Sequence, residues 1–392
     1  MDTTNTSHYF GKRILLIDGG SRQVLPMIKG FHNLGCTVTV YCNSKLDVGY
    51  VYKYTDNAIL RKFDPSDKEA SSNSIISEIK TRNYDVVIPM NDFAALILAE
   101  NKEELSQYAI IYVNDWDIYR MAYDKINTMK VCMENNIPCP KTAIIRNIDE
   151  IDYAEWKFPL VIKPRSSYGA NGFNIVNTPA ELSAHFSQTE KKFGPSLVQE
   201  YIEQDNKQYQ VEMIMDDYGN CKTIVIMDKV RWYPINGGSS TMNVAIHDNE
   251  IKNSCIELLR KIKWHGYASL DLIRDSKDGK AKILEINPRI NGTAKLCFAL
   301  GIDLSKMILD DCFGNEITEF PDYNDGICLR YFHMDLLWFL KSKNRFKAKP
   351  SWFSFKNTVD EIFGFDDLKP AIVYSITAFK KLINDKNKRG IN

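Results

Sequence analysis

Residues 267–289 read YASLDLIRDSKDGKAKILEINPR, and this stretch decides the fold. Two apolar runs, Tyr267–Arg274 and Ala281–Ile286, flank Asp278-Gly279, a dipeptide that favours a tight hairpin turn. Each run carries a carboxylate in apolar surroundings: Asp271 in SLDLI and, fourteen residues on, Glu285 in ILEIN. Side chains alternate across a strand, so Glu285 and Asn287 share a face, and an in-register hairpin brings Asp271 to them. A strand tolerates one such residue on its solvent side. Three converging oxygen donors followed by Arg289 suit Mg²⁺, which keeps its remaining positions for water and phosphates.

A second signal lies upstream, in Lys163-Pro164-Arg165-Ser166-Ser167-Tyr168-Gly169-Ala170-Asn171-Gly172. An apolar strand ends in a lysine, and a small-residue loop with two glycines follows. Such a loop lets backbone N–H groups approach phosphate oxygens closely. Read alone, an ordinary hairpin with a surface lysine explains it as well.

Around these motifs the chain changes texture twice. Residues 1–114 alternate strand and helix signals: Arg13–Asp18, a helix to about Leu34, Thr37–Tyr41, Ser71–Lys80, Asp85–Met90, Phe93–Leu105 and Ile110–Val113. That alternation predicts a parallel sheet with crossover helices. Gly19-Gly20-Ser21-Arg22 is not G-x-G-x-x-G, so a dinucleotide site is not expected. From about 115, two helical windows lead into strands that read as an antiparallel meander: Leu160–Lys163, Gly172–Val176, Leu197–Glu200, Gln210–Met215 and Thr223–Lys229. A helix over Glu250–Lys263 precedes the hairpin.

Composition narrows the function classes. The chain has 392 residues, 50 Lys+Arg against 50 Asp+Glu, and 44% hydrophobic residues. A zero net charge gives no global argument for nucleic acid or a membrane surface. Nine scattered cysteines without a C-x-x-C pair suit buried thiols in a reducing compartment. No apolar run of about 18 residues is present, so no membrane span is expected, and the reading is a cytoplasmic protein. The six histidines show no metal spacing, and G-x-S-x-G, H-E-x-x-H and Walker A motifs are absent.

The ordered set Asp124-Lys125, Val161-Ile162-Lys163-Pro164, Gly169/Gly172, Gln199-Glu200-Tyr201-Ile202-Glu203, Asp271 and Glu285-x-Asn287-Pro288-Arg289 resembles the ATP-grasp superfamily. The similarity is greatest to the branch of carbamoyl-phosphate synthetase large subunits and biotin carboxylases. It covers roughly residues 10–320. The resemblance implies an α/β pre-ATP-grasp domain (1–114), an α+β two-lobed ATP-grasp domain (115–330) and a C-terminal extension (331–392). The smaller lobe with its glycine-rich loop would take 115–196, and the larger lobe with the metal site 197–330.

It further implies that Lys125 and Lys163 contact phosphates, with Ser166, Gly169 and Gly172 in the loop that closes over ATP. Glu200 and Ile202, or Gln199 one position earlier, would meet the adenine. Gln208 stands where many relatives place a ribose-binding acid; an amide also accepts a hydroxyl hydrogen bond. Asp271, Glu285 and Asn287 would hold Mg²⁺, with Mn²⁺ the alternative, and Arg289 would steady the transferred phosphoryl group. The segment Arg231-Trp232-Tyr233-Pro234-Ile235-Asn236-Gly237-Gly238-Ser239-Ser240 resembles the family loop near the acceptor, which makes Arg231 a catalytic candidate. A plain Pro/Gly turn is the competing reading.

The implied activity is ligation of a carboxylate to an amine through an acyl-phosphate, on an amino acid or a sugar-derived acid. An ATP-grasp kinase and a non-catalytic ATP-binding protein are the rivals. A homodimer is compatible with the family. The tail, residues 331–392, holds twelve Lys/Arg against six Asp/Glu and a run of aromatics. It is a candidate contact for a partner or membrane surface, although aromatics packing onto the core is the preferred reading.

Overall fold

The computed structural model describes residues 8–145, 147–166, 172–203, 207–235, 238–320 and 322–378, and these carry three sheets. The first consists of β1 (Arg13–Ile17), β2 (Thr37–Cys42), β3 (Asn57–Leu60), β4 (Val86–Pro89) and β5 (Ile110–Ile111), in the order β3-β2-β1-β4-β5. All its pairs are parallel. Helices α1 (Val24–Asn33), α2 (Val48–Val51), α3 (Lys68–Thr81), α4 (Asp92–Glu100) and α5 (Lys102–Leu105) connect the strands.

The sequence of β1, RILLI, explains its central place, because a strand covered on both faces needs no polar alternation. Ile14 and Leu16 pack with Val24, Met27 and Ile28 of α1, while Leu15 and Ile17 pack with Ile75, Ile79, Ile97 and Leu98. The helix expected over Phe93–Leu105 is two helices, broken at Asn101, whose amide caps the carbonyl of Ile97. Strand order reverses between β1 and β4, so a crevice opens at their carboxyl ends, the usual ligand position in open parallel sheets.

The second sheet follows α6 (Trp116–Tyr123) and α7 (Lys125–Glu134). It contains β6 (Thr142–Ala143), β7 (Leu160–Pro164), β8 (Asn174–Val176) and β9 (Ser196–Glu200), ordered β6-β9-β7-β8 and antiparallel. The expected meander is interrupted here by α8 (Pro179–Phe193). Its start is written locally. The Thr178 hydroxyl accepts from the Glu181 amide, the Glu181 carboxylate accepts from the Asn177 amide, and Pro179 sits in the first turn. Leu182 and Phe186, four apart, bury the inner face.

The third sheet is built from β10 (Gln208–Met215), β11 (Cys221–Tyr233), β12 (Ser239–Ile246), β13 (Gly266–Arg274), β14 (Ala281–Asn287), β15 (Cys328–Arg330) and β16 (Thr358–Asp360). Its order is β14-β13-β10-β11-β12-β15-β16. Helix α9 (Asn249–Lys261) covers one face, and α10 (Ala294–Ala299) and α11 (Leu304–Cys312) join it to α1. The chain beyond residue 331 is built into this layer through α12 (Phe332–Lys341) and β16, which pairs parallel to β15. Among the described residues no helix is long and apolar enough to cross a membrane, and all nine cysteines are free.

Candidate functional site

The hairpin of β13 and β14 closes in the register the sequence requires: Asp271 stands opposite Glu285 and Ser269 opposite Asn287. Gly279, at φ 73°, takes the left-handed position of the turn. A bulge on the Leu272 side of Asp271 offsets the distal half of the ladder. Asp271, Glu285 and Asn287 therefore share one face, and the Asn287 amide donates to Asp271 Oδ2 at 2.9 Å.

Both carboxylates already meet cations. Lys229 of β11 contacts Asp271 Oδ1, and Lys125 Nζ lies 3.4 Å from Glu285 Oε2. Among the described residues no three His, Cys, Asp or Glu side chains cluster for a metal. The set here is two carboxylates and a carboxamide, hard oxygen donors of the kind that suits Mg²⁺ with phosphate and water completing its shell. The donor chemistry fits.

Two elements bring lysines to this face. Asp124 caps α7 by accepting from the Ile126 amide, and its carboxylate also receives Arg165 Nε at 3.1 Å and Nη2 at 2.5 Å. The Lys125 amide donates to the Arg165 carbonyl at 3.0 Å. The start of α7, with Lys125, is thus tied to the end of β7, with Lys163. Burial lowers the Lys163 ammonium to about 8; the Glu285 and Asp271 carboxylates oppose that and Lys125 adds to it. Ser166 ends the described part of the following loop, Gly169 lies outside the described residues, and Gly172 has φ 76°. A Cβ on Gly172 would meet Pro164 Cγ at 2.7 Å, so the chain needs glycine there on both counts.

The strand proposed to meet the adenine is held by side chains. Glu200 Oε1 accepts from Lys282 Nζ at 2.8 Å and from the Lys141 amide at 3.0 Å. Gln199 is buried and its amide donates to Thr142 Oγ1 at 2.7 Å. Its side chain is therefore engaged within the sheet. Ile202 is buried, and Gln208 lies opposite Lys229 at the start of β10.

Arg289 lies two residues past Asn287, the end of β14. Its Nε and Nη2 hold the two oxygens of Asp92 at 3.1 Å each, while buried Nη1 has no hydrogen-bond partner among the described residues. Asp92 belongs to the β4–α4 junction of the first sheet, where Asn91 donates to Asp18 Oδ2 at 2.6 Å. Deeper on the same face, burial pushes the Glu212 carboxyl up to about 7 against hydrogen bonds from Thr293 and Tyr267.

Sequence reasoning missed Asp92, Lys229 and Glu212. A charged residue inside the apolar run QVEMIM was a readable sign for Glu212. Nothing local marked the others. It also missed Asn243, which lies opposite Lys229, fully buried, with neither amide atom hydrogen-bonded among the described residues.

Arg231 requires a correction. It does not face an acceptor: the side chain is 1% exposed, and its Nε and Nη2 clasp Asp335 of α12 at 2.7 and 2.9 Å. Its third nitrogen donates to the Pro350 carbonyl at 2.9 Å, and Trp338 lies beside the guanidinium. Every donor nitrogen is used to fasten the C-terminal extension. The residues after it, Asn236 and Gly237, lie outside the described residues.

Residues 122–293 match the family model described as an ATP-grasp domain. The chain is 24% identical over 257 residues to D-aspartate ligase of Enterococcus faecium, covering 59% of this chain and 59% of the ligase. It is also 24% identical over 295 residues to the carbamoyl phosphate synthase large chain of Clostridium acetobutylicum, covering 70% of this chain and 27% of the synthase. Among solved structures, biotin carboxylase from Campylobacter jejuni superposes with a TM-score of 0.67 at 15% identity, over 81% of this chain and 74% of that one. That likeness shows the fold. The chain spans about 59% and 27% of the length of the two curated relatives.

Proposed function

We propose that the chain is an ATP-dependent carboxylate–amine ligase whose substrate carboxylate belongs to an amino acid. The observation that carries this reading is the face where Asp271, Glu285 and Asn287 meet Lys125, beside the buried, depressed Lys163. Hard oxygen donors beside lysine ammonium groups suit a nucleotide triphosphate with its metal. D-aspartate ligase among the relatives favours an amino acid over a sugar acid.

In this scheme Asp271, Glu285 and Asn287 hold Mg²⁺, which supplies charge neutralisation along the phosphates when bound. Lys125 and Lys163 offset the charge at the nucleotide, and Ser166, Gly169 and Gly172 shape the loop over it. The backbone at Ile202, two residues past the β9 end that carries Gln199 and Glu200, lines the adenine, and Gln208 takes the ribose. The substrate carboxylate oxygen attacks the γ-phosphorus, and the bond to the ADP oxygen breaks. The free Nη1 of Arg289 meets the developing charge on the transferred group, a role for which a fixed guanidinium is well suited. The amine then attacks the acyl carbon, phosphate leaves, and the amine loses a proton. Excluding water protects the acyl-phosphate.

The test is an ADP-release screen of amino acids paired with amines, with phosphate release and product mass measured together. A ligase releases ADP and free phosphate only when both partners are present, and the product mass is their sum less water. ADP release with a stable phosphorylated product would instead make the chain a kinase. Absence of turnover despite ATP binding would support a nucleotide-binding protein without chemistry.

A further inference from the structure

The extension divides into two kinds of surface. Asp335 and Trp338 are buried, and Glu361, 2% exposed, pairs with Arg22, so the segment is anchored to both large sheets. The opposite side is different. Phe346 is 73% exposed, Phe353 59% and Leu340 58%. The aromatic residues form one patch: Phe339 contacts Phe346 and Phe353, each with ring centroids 5.6 Å apart, and Phe346 stacks on Phe353 at 6.5 Å.

The charge of the segment that carries the patch has a single sign. Lys341, Lys343, Arg345, Lys347, Lys349 and Lys356 share its stretch of chain, and residues 336–359 contain no Asp or Glu. Among the described residues none of the six is ion-paired, whereas cations elsewhere in the chain commonly are. Arg345 lies over the Phe346 ring at 5.4 Å. Exposed aromatic and aliphatic side chains on a segment of lysines without ion pairs among the described residues are the composition of an interfacial anchor. The apolar tips enter the headgroup boundary while the lysines stay at anionic headgroups. Two copies of the patch would bring like charges face to face, which disfavours self-association. The rings contact one another edge-on and stacked, so they are not separate platforms for bases along a groove.

We infer that the surface formed by Phe339, Phe346 and Phe353, on this lysine-rich segment, docks the protein on an anionic lipid bilayer. The inference is independent of the ATP chemistry. It is tested by sedimenting the full chain with vesicles of phosphatidylcholine alone and of equimolar phosphatidylcholine and phosphatidylglycerol. The protein should sediment with the anionic vesicles only, and added salt should release it. The Phe346→Ser/Phe353→Ser variant should keep its melting temperature, because both side chains are exposed, and should bind at least about tenfold more weakly. No sedimentation with anionic vesicles, or equal binding by the variant, overturns the proposal. So does preferential capture of single-stranded oligonucleotide, or a concentration-dependent dimer abolished by the same substitutions.

Discussion

Arg289 Nε and Nη2 each lie 3.1 Å from an oxygen of Asp92, a residue 197 positions earlier in the chain. The pair joins the crevice of the parallel sheet to the strand end that follows Asn287. It also fixes the direction of a guanidinium whose third nitrogen is free among the described residues.

In the proposed scheme Asp92 orients Arg289 and does not itself contact the reacting atoms. Asp92→Asn should therefore lower kcat by about ten- to a hundredfold with little change in the KM for ATP. Arg289→Lys, which keeps the charge but loses the planar fork, should be worse. Steady-state kinetics of both variants checks this, and an unchanged kcat in Asp92→Asn would remove the orienting role.

Glu285→Gln and Asn287→Ala should each abolish ATP turnover, by at least about a hundredfold, while leaving the fold intact. Both side chains lie on the sheet face and neither fills the core. Turnover near that of the parent, in variants with an unchanged melting temperature, would refute the assignment of these residues to the metal.

Lys163 gives a pH signature. Its folded value of about 8 lies below the ordinary lysine value of 10.5, so between these pH values the unfolded chain binds more protons. Its contribution to stability should thus rise as pH rises through that window, the burial penalty being fully present below about 8. Nucleotide affinity should move the other way, falling above about 8 as the ammonium is lost. Isothermal titration with an ATP analogue from pH 7 to 9.5, compared with Lys163→Met, reads the effect. A parent profile parallel to that of the variant would exclude Lys163.

Arg231 and Asp335 are 1% and 0% exposed, so removing one partner leaves a buried charge unmatched. Arg231→Ala should destabilise the protein by about 3–5 kcal/mol. Arg231→Met with Asp335→Leu should recover much of that loss, although Arg330, which also approaches Asp335, will limit the recovery. Thermal denaturation decides the matter. A stable but inactive Arg231→Ala would restore the catalytic reading.

How much of this was legible in the sequence depended on the distance over which each signal acts. The hairpin of β13 and β14 was readable because the turn dipeptide and the alternation around Asp271 and Glu285 are local. The parallel sheet was readable from the apolar runs, and Lys163 from the loop it precedes. Helix α8 was passed over although Thr178, Pro179 and Glu181 announce its start, because its apolar face is sparse. Asp92 was not legible at all: an aspartate after a strand looks like a helix cap until the fold brings Arg289 to it. Arg231 misled for the opposite reason. A Pro/Gly turn beside it suggested a ligand loop, while its true partner lay 104 residues downstream.

Strands β15 and β16, three residues each, occupy the far side of β12 in the seven-stranded sheet. Without them the eight residues of β12, SSTMNVAI, would form an open edge with unpaired amides and carbonyls, a template on which other chains can add. A short closing pair offers little such template itself. The cost of losing β15 and β16 therefore includes solubility as well as folding stability, and chains truncated before Cys328 should yield inclusion bodies before they yield a shortened soluble protein.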